Sequence, residues 1–149
     1  MLYGLEDTEM VRLWILAAGA GLLLGTSPAL AHHAFSAEFD GNAPVKLVGA
    51  ITKVELINPH AWIHIEVKTP DGKVENWAVE GGTPNTLQRR GITRDTIKPG
   101  TIIVVQGYRS KDGSMRANGR DITFQDGRTL FMGSSGTGAP HDGKDPIEK

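Results

Sequence analysis

The spacing of apolar and polar positions predicts strands through most of the middle of the chain. Residues 45–57, "VKLVGAITKVELI", are rich in branched side chains and hold Gly49 within the run, which predicts a long strand bent at a bulge. Asn58-Pro59 is a turn signal that ends it. Residues 61–67 then alternate, with Ile63, Ile65 and Val67 on one side and Trp62, His64 and Glu66 on the other, the period of a half-buried strand. "TPDGK" supplies a turn through Pro70 and Gly72, and residues 74–80, "VENWAVE", return as the second arm of a hairpin. With the turn centred on Asp71, Ile65 lies opposite Trp77 and Ile63 opposite Val79. His64 and Trp62 then share the other face with Ala78 and Glu80.

"GGTPNTLQRRG" breaks this alternation. Thr83 suits a helix cap, Pro84 the first helical position and Gly91 the exit, so a short helix is expected between them. "KPG" turns into a strand over residues 101–109, "KDG" makes a hairpin to a strand over 117–124, and "QDGR" leads to a short last strand at 129–132. From Gly133 onward the glycine, serine, proline and charged residues carry no apolar pattern and read as a flexible tail. Three strands, a helix and further strands, in that order, predict an all-β fold with one short helix, a small OB-like barrel over residues 45–132. Residues 32–44 read as an irregular arm in front of it.

Composition narrows the function more than the fold. Sixteen basic and seventeen acidic residues leave no electrostatic bias toward nucleic acid or an anionic membrane. No cysteine is present, so disulfides, thiolate ligands and thiol nucleophiles are excluded. Residues 13–24, "LWILAAGAGLLL", form an apolar run after Arg12, followed by "GTSPALA" with small Ala29 and Ala31. This is the layout of a signal peptide cleaved after Ala31, shorter than the roughly 20 residues of a permanent membrane anchor. The expected location is therefore periplasmic or secreted. Glu6, Asp7 and Glu9 are foreign to a basic export lead, whereas "MVRLWIL" is normal, so translation is expected to start at Met10.

The motifs "HHAFSAEFD", "INPHAWIHIEV", "NWAVEGGTPNTLQRRGI" and "IKPGTIIVVQGYRSKDG" together resemble a family of small exported bacterial proteins described as a domain of unknown function. The likeness runs from His32 to about Phe131. It implies a secreted or periplasmic β-barrel and brings no activity with it.

Cleavage after Ala31 would make His32 the first residue, offering its amine and its ring nitrogen to one ion. One more imidazole gives a three-nitrogen set of the kind Cu(II) favours, an arrangement that resembles the histidine brace of exported copper proteins. His33, His60 and His64 are the candidates for that imidazole, and Glu80 for a supporting or direct oxygen ligand. On one straight strand His60 and His64 would stand roughly 13 Å apart, too far to chelate together. The competing reading makes His32 and His33 solvated arm residues, His60 a turn residue and His64 an exposed strand residue on Trp62. Trp62 is the candidate for a ligand surface, whereas Trp77 falls on the core side.

No G-x-S-x-G, H-E-x-x-H or phosphate-cradling glycine loop occurs, so a non-enzymatic function is expected. Two functions follow: an exported binder of a small ligand, with copper the possible cofactor, or an envelope module for oligosaccharides or proteins that uses Trp62.

Overall fold

The structure, a computed structural model, describes residues 35–133. The expected signal peptide, the histidines His32 and His33 and the tail beyond Gly133 lie outside the described residues. Six strands and one helix follow in chain order: β1 (Phe39–Glu55), β2 (Trp62–Lys68), β3 (Val74–Glu80), α1 (Pro84–Arg89), β4 (Ile102–Ser110), β5 (Arg116–Phe124) and β6 (Thr129–Phe131). The sheet order is β3-β2-β1-β4-β5-β6, with a further pairing of β3 to β5.

That last pairing is parallel, Ala78 with Arg116, Val79 with Ala117 and Glu80 with Asn118, and it closes the sheet on itself. A closed β1-β2-β3-β5-β4 ring with a helix between β3 and β4 is the OB-type barrel expected from the order of elements. The hairpin register is also as expected, with Ile65 opposite Trp77 and Ile63 opposite Val79. Alternation then sends Ile63, Ile65, Trp77 and Val79 inward, where they meet Leu47, Ile51, Ile103, Val105 and Ile122 in the core. Each fully buried Ile among them contributes about 1.5–3 kcal/mol relative to an exposed one.

Helix α1 forms where its caps demand. The Thr83 hydroxyl accepts from the Thr86 N–H, Pro84 occupies the first turn, and Leu87 is buried in the core. Gly91 follows with a φ of 87°, a conformation that costs glycine little.

Two expectations need correction. The strand β1 begins at Phe39 and not at Val45, so much of the supposed arm is sheet: Phe39 pairs with Ser110 and Pro44 with Tyr108. Within residues 45–57 the register of β1 against β2 shifts between Ile51 and Lys53, not at Gly49. Gly49 serves a close approach instead, since a Cβ there would stand 2.4 Å from the carbonyl oxygen of Glu66.

Residues 35–38 form a helical turn that packs on the outside of the barrel. Phe35, Phe39 and Tyr108 are buried together as a second cluster, apart from the core. The Phe35 ring lies 5.9 Å from that of Phe39 and meets Tyr108 edge-on at 5.6 Å, favourable aromatic arrangements. Lys111 N–H donates to the carbonyl of Glu38, and the Lys111 ammonium donates to that of Ser36. A segment read from sequence as irregular is thus tied to β4 and the turn after it.

Candidate functional site

The strand register draws one lateral row across the outer face of the barrel. Tyr108 pairs with Asn118, Asn118 with Glu80, and Glu80 with Trp62. Outward positions in a small barrel are normally wet, yet Tyr108, Asn118 and Glu80 are all buried. A carboxylate at 7% exposure is the exception that marks this face.

Glu80 is met by the side chain of His60, whose Nδ1 contacts its Oε1. His60 reaches it from the loop between β1 and β2, just after the cis Asn58-Pro59 bond. Ala61 and Gly82 fix that loop end, through Ala61 N–H to the Gly82 carbonyl and Gly81 N–H to the Ala61 carbonyl. Arg116, at the start of β5, donates to Glu38 at 2.8 Å and stands over the rings of Trp62 at 5.3 Å and Phe39 at 5.9 Å. Five elements therefore converge on one spot: the arm, the β1–β2 loop, β2, β3 and β5.

Burial is the main reason the Glu80 carboxyl titrates above its ordinary value, with His60 and Arg116 opposing the shift and Glu38 adding to it. The folded chain consequently holds this proton more tightly than the unfolded chain. The associated stabilisation is present at low pH and is lost as pH rises through the raised value. Relative to Glu80→Gln, which keeps His60, Arg116 and Glu38 in place, the native chain should lose stability as pH climbs from the ordinary 4.5 upward. Paired melting curves across that range check this, and a difference that stays flat or grows would contradict it.

The predicted site residues separate into two groups. His60 and Glu80 come together, and Trp62 lies beside them half-buried, with Arg116 over its ring. His64 shares the outward parity of Glu80, as expected, but it stands across from Ala78 on one side and Lys53 on the other. Its Nε2 is 3.8 Å from Glu55, beyond hydrogen-bond distance, and has no hydrogen-bond partner among the described residues. Burial, with Lys53 adding, lowers the His64 pKa and keeps the ring neutral near pH 7. The structure does not bring His64 to the Glu80 pair.

Arg116, Glu38, Phe35 and Phe39 were not legible as site residues. The one signal for them was the four-residue spacing of the two phenylalanines in "HHAFSAEFD", which sets them on one side of a helical turn.

An imidazole nitrogen and a carboxylate oxygen are a ligand pair that borderline transition metals accept. Among the described residues no group of three or more His, Cys, Asp and Glu side chains is placed to hold an ion. Further donors for the His60–Glu80 pair would have to come from outside those residues, or from a ligand. Among the same residues no helix is long and apolar enough to cross a membrane.

Two solved structures similar to the chain are of the mitochondrial single-stranded DNA-binding protein Rim1 from S. cerevisiae. One aligns with a TM-score of 0.45 and 12% identity, covering 56% of this chain and 93% of that one. The other, selenomethionine-labelled, aligns with a TM-score of 0.43 and 11% identity, covering 58% and 96%. No curated protein matches the chain. The family comparison is broader in reach: residues 20–119 match the model of DUF6152, and the chain belongs to this family of unknown function.

Proposed function

We propose that this protein is an exported, non-enzymatic OB-type barrel that binds Cu(II) where its processed amino terminus meets the His60–Glu80 pair. The observation that carries this reading is the contact of His60 with a buried Glu80 beside the anchored arm. Phe35 is fixed against Tyr108, and Glu38, bonded to Arg116, lies close enough to influence Glu80. His32 precedes Phe35 by three residues, an extended reach of roughly 10 Å. An amine and imidazole from His32, with His33 as the alternative imidazole, then add nitrogens to the His60 ring, and the Glu80 oxygen supports the set.

A sugar- or protein-binding surface on Trp62 is the weaker reading, because the guanidinium of Arg116 already stands over that ring. The test is Cu(II) titration of three chains: one beginning at His32, one with an added leading Ala, and His60→Ala beginning at His32. The first should bind tightly, the extended chain should lose tight binding, and His60→Ala should bind about 10- to 100-fold more weakly. Equal affinity in all three would remove the copper role, and equality of the first two alone would remove the terminal amine from it.

A further inference from the structure

Strand register also assembles an apolar patch on the outer face of β2, β1 and β4. Leu47, Ile51, Ile103 and Val105 point into the core, so Val48, Ala50, Ile102 and Val104 between them point out. They form two rows across the strands. In the first, Val48 pairs with Val104 and Val104 with Thr123, while Lys68 stands beside Val48 because Gly49 pairs with Val67. Val74 pairs with Lys68 and extends this row onto β3. In the second, Ala50 pairs with Ile102 on one side and Glu66 on the other.

Five large apolar side chains are exposed among the described residues, and three of them, Val48, Val74 and Ile102, lie on this face. Val48 is 50% exposed and Ile102 45%, in mid-sheet positions rimmed by charge. Contiguous apolar surface of that kind marks a contact with another protein.

The charges select the partner. Lys68 flanks the first row and Glu66 the second, and neither side chain has an ion-pair or hydrogen-bond partner among the described residues. A two-fold axis lying in the contact plane, across the strands and between the rows, sets the first row of one copy on the second row of the other. Lys68 then meets Glu66 of the second copy, and the reciprocal pair forms at the same time, as two-fold symmetry requires. The same operation seats Val48 on the small Ala50 and Val104 on Ile102. An axis along the strands would put β2 over β4 or β5 instead, where Val104 and Thr123 offer Lys68 no charge. A formal net charge of −1 leaves no long-range repulsion between copies.

We infer that the outer face of β1, β2 and β4 binds a second copy of this chain, sheet on sheet about 10 Å apart, with reciprocal Lys68–Glu66 pairs flanking a contact of Val48, Ala50, Ile102 and Val104. The face uses no residue of the His60–Glu80 site and does not depend on copper.

Sedimentation equilibrium of the chain beginning at His32, without copper, tests this from about 10 μM to about 1 mM, the range that suits a small interface. Dimers are expected within it. Val48→Glu places a carboxylate against the apolar row and should leave the chain monomeric throughout. Lys68→Glu brings like charges together in both reciprocal pairs and should weaken dimerisation about tenfold or more. Glu66→Lys combined with Lys68→Glu exchanges the charges and should restore it. Val48 and Lys68 are exposed, and amide spectra of each variant check that the barrel is intact. A chain still monomeric at about 1 mM, dimers indifferent to Val48→Glu, or a charge exchange that fails to restore association would overturn the assignment.

Discussion

Gly107→Ala is expected to destabilise the barrel by about 3 kcal/mol or more, the upper range of overpacking costs. A Cβ at Gly107 would stand 2.1 Å from the carbonyl oxygen of Asn118 and 3.0 Å from the Cα of Gly119. Both are backbone atoms of β5, so no side-chain rotation relieves the clash. Moving β5 is costly in turn, because its residues 116–118 close the ring against β3. In a domain of this size such a loss lowers the melting temperature by roughly 12 °C or more. Gly113→Ala makes the control: among the described residues nothing lies within 4 Å of its Cβ, and only its φ of 77° resists the change. That variant should cost about 1 kcal/mol. Similar melting temperatures for the two variants would mean that β4 and β5 are not in the described contact.

The second large effect is expected from Phe39→Ala. Phe39 is 3% exposed, stacks near Phe35 and lies under Arg116. Truncating a buried phenylalanine typically costs 3–5 kcal/mol. Here the three-ring cluster is separate from the main core, so the arm can release while the barrel stays folded, and the global loss is capped by the docking energy of the arm. Hydrogen exchange should therefore show the Lys111 amide, which donates to Glu38, losing protection while the Ile63 amide keeps its own. Copper affinity should fall in the same variant, since the proposed site needs the arm in place. Equal protection at Lys111 in the native and variant chains would show that the aromatic cluster does not hold the arm.

The hairpin of β2 and β3 was readable because alternation and a single turn fix its register, and a slip of one residue would turn Ile63 and Ile65 to water. The helix α1 was readable because Thr83 and Pro84 act within their own turn. The start of β1 was not, because "FDGNAP" has weak strand character and pairs only by virtue of Ser110 and Tyr108 far along the chain.

The same distinction applies to the site. Trp62, His64 and Glu80 could be placed on one face from parity alone, and that placement holds. Which histidine meets Glu80 could not be read, since His60 lies beyond the strand, in a loop whose path is set by contacts of Ala61 with Gly81 and Gly82. The importance of Arg116 was likewise hidden. Its partner Glu38 is 78 positions away, and it reaches Trp62 only because β5 closes against β3.

By itself the amino-acid order determined the number of strands, the hairpin register, the capped helix and the barrel they imply, since each follows from periodicity or turn chemistry acting over a few residues. The tertiary structure alone decided that an outward glutamate is buried, that His60 and Arg116 attend it, and that the pairing of β4 with β5 shifts register between Gln106 and Gly107. Those outcomes depend on ring closure and on the docking of Phe35 and Phe39, contacts between distant segments that leave no periodic trace in the chain.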